Sequence, residues 1–137
     1  MSGKNPPLGR TILVVDDDEA TCGYLKSLLE LEGFDVLTCH NGREAVLAAG
    51  REKIDLILLD WMMPVLSGFE VLKTLQADER RGIPVVVITA KVTDQETVDM
   101  IRQEMNVVDF VPKPIRSVLF LKNLHSILGT GGRELRR

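Results

Sequence analysis

The chain lacks any long uninterrupted run of apolar residues. Its apolar stretches are short, such as TILVV at 11–15, whereas a membrane-spanning helix needs about 18 or more such residues. The first ten residues, MSGKNPPLGR, lack the apolar core of a secretion signal. We therefore expect no membrane span and take the cytoplasm as the compartment.

Cysteine is scarce, and neither sign of charge is in large excess. The two cysteines, Cys22 and Cys39, form no C-x-x-C motif and lie within apolar patterns, which predicts small packed residues rather than a disulfide or metal pair. A net charge of −3 gives no broad attraction for nucleic acid or an anionic membrane. Composition alone thus argues against a disulfide or metal-binding cysteine pair, and against a protein that binds nucleic acid or an anionic membrane through its net charge.

What remains is an ordinary composition, with 45% hydrophobic and 27% charged residues among 137. This length predicts one domain, and there is no fixed-period repeat or low-complexity segment. The ends, 1–9 and 129–137, are rich in glycine, proline or charge, and we expect them to be loose. The folded domain is expected to span 10–128.

Five short apolar or β-branched segments have the length of strands. They suit strands buried on both faces, which occur in parallel sheets covered by helices. These segments are TILVV at 11–15, FDVLTC at 34–39, LILL at 56–59, VVVIT at 85–89 and VVDFV at 107–111.

Helical spacing of apolar residues follows each of these segments. TDQE at 93–96 predicts a capping box for the fourth helix, and Ser117 is the predicted N-cap of the fifth, which Gly129 ends. The alternation predicts an α/β fold, a doubly wound parallel sheet with helices on both faces. The stripes are Cys22, Leu25, Leu28 and Leu29; Ala45, Ala48 and Ala49; Phe69, Leu72 and Leu75; Val98, Ile101 and Met105; and Leu121, Leu124 and Leu128.

Chemically capable side chains stand just after the predicted strands, where open α/β sheets bind ligands. They comprise acids, a hydroxyl and an ammonium: Asp16, Asp17 and Asp18 after the first strand, Asp60 after the third, Thr89 at the end of the fourth and Lys113 after the fifth. Each alone has a structural interpretation, as a helix cap, a strand residue or a solvated lysine. Their joint placement at one sheet edge favours a site.

A cluster of carboxylates needs a proton or a cation. Two carboxylates about 4 Å apart repel by about 4 kcal/mol at an effective dielectric near 20, and oxygen ligands on a rigid edge suit Mg²⁺. A carboxylate that keeps a free oxygen can attack phosphorus. The three phosphoryl oxygens then need stabilisation, which Mg²⁺, the Lys113 ammonium and the Thr89 hydroxyl can supply, one oxygen each.

Four segments, ILVVDDDE, LILLDWMMPVLSG, VVVITA and FVPKPI, resemble the receiver domain of two-component response regulators. The resemblance implies a (βα)5 flavodoxin-like sheet in the order 2-1-3-4-5. It implies that Asp60 accepts a phosphoryl group from a phosphohistidine, and that Mg²⁺ (or Mn²⁺) is held by Asp16, Asp17, Asp60 and the backbone carbonyl of Met62. It also implies that Lys113 pairs with the phosphoryl group.

The resemblance further implies a switch and its partners. Thr89 moves towards the phosphoryl group, Phe110 rotates, and the surface of the fourth helix, fifth strand and fifth helix changes. The upstream partner is a sensor histidine kinase or phosphotransfer protein, and the downstream partner is an unknown protein or output domain. The chain is expected to be a monomer or a phosphorylation-promoted homodimer, and to catalyse only its own phosphorylation and slow dephosphorylation.

Several residues qualify this pattern. Met62 offers no side-chain amide to orient a hydrolytic water, and Lys91 is long enough to cover the phosphoryl site, so we expect slow to moderate dephosphorylation. Trp61 is expected to be partly exposed beside the acids. His40 and His125 have no partner motif in the sequence and are interpreted as surface histidines rather than as ligands or phospho-carriers.

Two other functions stay open from the residues. Asp16 and Asp18 have the spacing of the nucleophile and acid of haloacid-dehalogenase-type phosphohydrolases, although Ala20 stands where that motif has Thr or Val. A receiver that binds partners without phosphorylation is the other alternative.

Overall fold

The fold is described from a computed structural model, over residues 7–63, 67–77, 82–90, 94–104 and 106–130. Strands and helices alternate along the chain. They are β1 (Thr11–Val15), α1 (Glu19–Leu31), β2 (Asp35–Cys39), α2 (Gly42–Arg51), β3 (Leu56–Asp60), α3 (Gly68–Gln76), β4 (Val85–Thr89), α4 (Gln95–Arg102), β5 (Val107–Pro112) and α5 (Ser117–Leu128).

The five strands form one parallel sheet in the order β2-β1-β3-β4-β5. The predicted doubly wound α/β fold and its strand order are thereby confirmed. The chain runs outwards from β1 on one side to β2 and on the other side through β3. The strand order therefore reverses between β1 and β3, which is where such sheets leave a crevice at their carboxyl edge.

Hydrophobic cores lie on both faces of the sheet because successive strand residues point to opposite sides. Leu13 and Val15 join a core that α2, α3 and α4 complete, whereas Ile12 and Val14 join a core completed by α1 and α5. All five residues of β3 are buried. This burial on both sides explains why the central strands read as continuous apolar runs.

Two predicted helix starts are wrong. Ser117 is the first helical residue of α5, and the N-cap is Arg116. In α4 the N-cap is Asp94, whose Oδ1 accepts a hydrogen bond of 2.7 Å from Thr97 Oγ1, so the helix does not begin on the predicted capping box. Thr93 and Met105 lie outside the described residues. Local sequence signals for caps tolerate shifts of a residue, and packing decides between them.

A capping box occurs instead at α3. Ser67 N donates to Glu70 Oε1 at 2.9 Å, and Glu70 N donates to Ser67 Oγ at 3.3 Å. The Ser-x-x-Glu spacing carries this signal in the sequence. Within α3 the core residues are Val71, Leu72 and Leu75, while Phe69, part of the predicted stripe, is exposed.

The end of α5 follows its prediction. Gly129 takes φ 69°, in the left-handed region that glycine adopts without the penalty of a Cβ. Among the described residues, no helix has the length and apolar character that crossing a membrane requires.

Candidate acidic phosphoryl site

Three carboxylates meet at the crevice between β1 and β3. Asp16 directly follows β1, Asp17 is the next residue, and Asp60 ends β3. Each contributes an oxygen to a group in which all three atoms lie within 4.8 Å of one another. Asp16 and Asp60 are 2% and 5% exposed, whereas Asp17 is open to solvent. The sheet thus buries two negative charges beside a third accessible one.

Backbone donors hold the two buried carboxylates in place. Asp18 N donates to Asp16 Oδ1 at 2.9 Å, and Met62 N donates to Asp60 Oδ1 at 3.2 Å. Both donors lie two residues beyond the acid, the Asx-turn geometry that aspartate favours at strand ends. Each acid therefore helps to shape the turn after its own strand.

Lys113 enters the site from the end of β5. Its Nζ lies 2.9 Å from Asp16 Oδ2, and its backbone N donates to Thr89 O at 2.8 Å. Burial alone would lower the pKa of Lys113, but the hydrogen bond and charge of Asp16, with the charge of Asp60, outweigh it and raise the pKa. The ammonium thus partly neutralises the acidic group. The peptide bond between Lys113 and Pro114 is cis.

Asp60 is the carboxylate of this group whose negative charge its surroundings stabilise least. Burial raises its pKa to about 6, with repulsion from Asp16 adding to the effect, while Lys113 and the Met62 N–H oppose it. Its charge is therefore costly to keep in this position at neutral pH. A cation bound by the group would relieve that cost.

Thr89 lies on β4 and Phe110 on β5, and these two paired strands end next to Lys113. Thr89 ends β4, is buried, and pairs with Pro112 in the sheet register. Phe110 is half-buried against the α2–α3–α4 core. The Arg102 guanidinium lies 5.7 Å from the centroid of its ring, within the range of a cation–π contact.

Asp18 stands apart from the acidic group. It is the N-cap residue of α1, and its Oδ2 accepts a hydrogen bond of 2.6 Å from Thr21 Oγ1. That hydrogen bond is the main reason why its pKa is lowered. This position favours the capping interpretation of Asp18 over a partnership with Asp16 in a hydrolase.

The environment of Trp61 differs from the prediction. Trp61 is 9% exposed, belongs to the α2–α3–α4 core and meets Phe69 edge-on, with ring centroids 6.0 Å apart. The adjacent Met62 is 54% exposed instead. The chain turns sharply after Asp60, and the larger aromatic gains more by burial. Lys91 lies outside the described residues.

His125 is half-buried, whereas the sequence interpretation places it at the surface, and both of its ring nitrogens have partners. Nε2 lies 2.8 Å from Glu32 Oε1, Nδ1 lies 2.7 Å from Thr130 Oγ1, and the ring lies tilted by 31° against Phe34, with ring centroids 5.2 Å apart. Only the folded chain brings these residues together. His40 is exposed, as predicted, with Nδ1 3.8 Å from a buried sulfur atom.

That sulfur belongs to Cys22, which donates to the backbone oxygen of Asp16 at 3.2 Å. Cys22 and Cys39 are both buried and free, as predicted. Burial raises the pKa of each thiol to about 11. Both behave as small packed residues rather than as reactive groups.

The donor set fits a hard divalent cation. The grouped ligands are carboxylate oxygens alone, and such ligands suit Mg²⁺ or Mn²⁺ rather than Zn²⁺ or copper. One acid of the group is exposed and two are buried, so a cation would have protein ligands on one side and water on the other. The carboxylates also outnumber Lys113, which leaves negative charge to be compensated.

Comparison with known proteins gives a consistent answer. A family model described as the response regulator receiver domain matches residues 12–125. Protein PilH of Pseudomonas aeruginosa is 36% identical over 118 residues, covering 85% of this chain and 96% of PilH. The regulator CpxR of Escherichia coli K12 is 38% identical over 117 residues, covering 85% of this chain and 48% of CpxR. The chain therefore spans about half the length of that relative.

Solved structures agree with these sequence relatives. The chemotaxis protein CheY4 of Vibrio cholerae superposes with a TM-score of 0.79 at 28% identity, covering 87% of this chain and 98% of CheY4. The receiver domain of a sensor histidine kinase from Pseudomonas aeruginosa PAO1, with a magnesium ion coordinated in its active-site cleft, gives 0.78 at 28%, covering 89% of this chain and 99% of that domain. Together with the parallel sheet and its acidic crevice, these matches show that the chain belongs to the response regulator receiver domain family.

Proposed function

We propose that Asp60 accepts a phosphoryl group from a phosphohistidine, in a reaction assisted by Mg²⁺ (or Mn²⁺). The observation that carries the proposal is the meeting of Asp16, Asp17 and Asp60 within 4.8 Å at the carboxyl edge of the sheet, with Lys113 bonded to Asp16. Receiver domains interact with histidine kinases or phosphotransfer proteins, so the donor is proposed to be one of these.

The chemistry uses groups already in place. An Asp60 carboxylate oxygen attacks phosphorus, the P–N bond of the donor breaks, and its electron pair stays on the imidazole nitrogen. Asp16, Asp17, Asp60 and the backbone carbonyl of Met62 would hold the cation, which neutralises phosphoryl charge when bound. Lys113, drawn from Asp16, would pair with the transferred group.

The coordinated magnesium ion in the related kinase receiver domain supports this choice of cation. We propose 10–128 as the receiver domain and the cytoplasm as its compartment. The chain is proposed to act as a signalling domain whose chemistry is limited to its own phosphorylation and dephosphorylation.

Phosphorylation is proposed to switch the surface formed by α4, β5 and α5. Added charge at Asp60 draws the Thr89 hydroxyl inward, which makes room for the Phe110 ring to turn. Each of these three elements carries exposed apolar side chains, and the partner proposed to bind here is a downstream protein, an output domain or a second copy. These apolar side chains are Met100, Val108, Val118 and Leu119.

Slow to moderate dephosphorylation is proposed for the same site. The exposed Met62 side chain has no amide or carboxylate with which to orient an attacking water. Lys91 is proposed to add cover. A phosphoryl half-life of only seconds in the isolated protein would contradict this part of the proposal.

Incubation with Mg²⁺ and acetyl phosphate, followed by intact mass measurement, tests the function. Wild type should gain one phosphoryl group and Asp60→Asn none. Repeated turnover of a phosphate ester that is lost in Asp16→Asn but kept in Asp60→Asn would instead indicate the dehalogenase-type hydrolase. Equal partner binding by phosphorylated protein and Asp60→Asn would indicate a receiver that acts without phosphorylation.

A further inference from the structure

The start of α3 lies directly against the peptide bond that follows Asp60. Ser67 and Glu70 fix the first turn through their reciprocal hydrogen bonds. Gly68, the first helical residue, is buried, and its N–H donates to Trp61 O at 3.2 Å. These hydrogen bonds therefore hold the first turn of α3 in a fixed position beside the end of β3.

The close packing of α3 against this backbone leaves no room for a side chain at position 68. A Cβ placed on Gly68 would lie 2.8 Å from Trp61 Cα, 3.0 Å from Asp60 O and 3.0 Å from Trp61 Cε3. Two of these atoms are backbone, so a rotamer change cannot remove the clash. A Cβ on Gly23 or Gly82, by contrast, meets nothing within 4 Å.

The peptide between Asp60 and Trp61 cannot simply retreat from α3. On its other side Trp61 N donates to Ile88 O of β4 at 2.9 Å, and Asp60 pairs with Ile88 in the sheet. The same segment carries the Asp60 carboxylate and the Met62 N–H that binds it. A shift of this backbone therefore moves the carboxylate relative to its acidic neighbours.

We propose that Gly68 is a positioning residue of the acidic site. By letting α3 sit directly on the Asp60–Trp61 peptide, it sets the position of the Asp60 carboxylate relative to Asp16 and Asp17. The kinetic part of this inference rests on the proposed phosphoryl transfer, whereas its metal-binding part does not. Misplacement by about 1 Å can cost a reaction up to about 10²-fold, so a methyl group at position 68 is a sensitive probe.

The test compares Gly68→Ala with wild type and two controls. Gly23→Ala adds the same methyl group where there is space, and Leu75→Ala removes a buried side chain from the far end of α3. Mg²⁺ affinity is measured by amide NMR shifts, adduct formation by intact mass with acetyl phosphate, and stability by thermal unfolding. All rates are taken below the lowest melting temperature of the set.

Gly68→Ala should weaken Mg²⁺ binding and slow adduct formation by about tenfold or more, while both controls stay within about twofold of wild type because neither adds an atom against the Asp60–Trp61 peptide. Unchanged values in Gly68→Ala, or equal losses in Leu75→Ala, would overturn the role of Gly68. If wild type binds Mg²⁺ but forms no adduct, the phosphoryl proposal fails and the affinities alone decide the role of Gly68. If wild type does neither, both proposals are overturned.

A second variant covers the case in which Gly68→Ala does not fold. The double variant Ser67→Ala/Glu70→Ala removes the capping box. It therefore loosens the first turn of α3 without adding an atom at position 68. Weaker Mg²⁺ binding than in Leu75→Ala supports the positioning role. Wild-type affinity in this double variant overturns it.

Discussion

At the scale of single residues, the three carboxylates of the site differ in how far their surroundings stabilise the negative charge. Asp16 has Lys113 at 2.9 Å, and Asp17 has solvent. Asp60 has one backbone N–H at 3.2 Å and a buried position. The residue that is proposed to react is thus the one whose ionised form is least stabilised in the resting protein.

Replacing Asp60 should therefore stabilise the metal-free protein. The folded pKa of about 6 exceeds the ordinary value of 3.8, so the contribution of this group favours folding below the unfolded pKa and is lost as pH rises through the folded one. In chelator at neutral pH, Asp60→Asn should gain roughly 1–3 kcal/mol in the free energy of unfolding. Urea denaturation at about pH 4 and about pH 7.5 checks this. A gain that does not grow with pH would contradict the charge explanation.

A second prediction at this scale concerns the lifetime of the phosphoryl group. Met62→Gln places an amide beside Asp60, where it can orient a water. We expect faster loss of the phosphoryl group by about tenfold, less than a positioned general base contributes. Met62→Leu is the matched control and should keep the wild-type half-life, measured by the decay of the phosphorylated mass. Equal half-lives for the two variants would rule out the orienting effect.

At the scale of elements, short-range signals predict strands better than helix starts. The segments at 11–15 and 85–89 coincide with β1 and β4, because strands buried on both faces must be apolar throughout. A helix cap depends on one hydrogen bond, and several polar residues near a helix start compete for it. Ser117 is a plausible cap by sequence, but Arg116 takes the N-cap position of α5 without a side-chain cap hydrogen bond, whereas Ser67 caps α3 through its hydroxyl.

The two serines therefore give a paired stability test. Ser67→Ala removes the hydroxyl acceptor, which is one half of the capping box, and should cost about 1 kcal/mol of unfolding free energy. Ser117→Ala removes no cap and should stay within about 0.5 kcal/mol of wild type. Chemical denaturation of both variants measures the difference. The reverse order of costs would show that the cap assignment is wrong.

At the scale of the whole molecule, sheet topology creates the site. Asp16 and Asp60 are 44 positions apart in sequence (60 minus 16), yet β1 and β3 are neighbours because the strand order reverses there. Lys113 follows β5, which is an edge strand of the sheet, and its side chain still reaches Asp16. The same long-range folding brings His125 to Glu32, a pairing that no local pattern indicates.

Cation binding should therefore stabilise the whole domain. Ligand at about 100 times its Kd adds about 2.7 kcal/mol to the unfolding free energy, so Mg²⁺ should raise Tm and EDTA should reverse the rise. Asp17→Asn should lose most of this response, since it removes a grouped carboxylate. Asp18→Asn changes the N-cap residue of α1, which lies outside the group, and should keep the response. Differential scanning fluorimetry of the two variants measures the contrast.

The sequence by itself determined the alternating fold, the strands of the core and the placement of acids, hydroxyl and lysine at strand ends. It could do so because burial on two faces imposes continuous apolar runs, and because parallel strands end at one edge. Only the tertiary structure decided that Trp61 is buried while Met62 is exposed, that Lys113 binds Asp16, and that Gly68 seats α3 on Asp60. Lys113 reaches Asp16 across 97 positions of sequence, and the burial of Trp61 and the close contact at Gly68 depend on how α3 packs against the sheet, which no local spacing encodes.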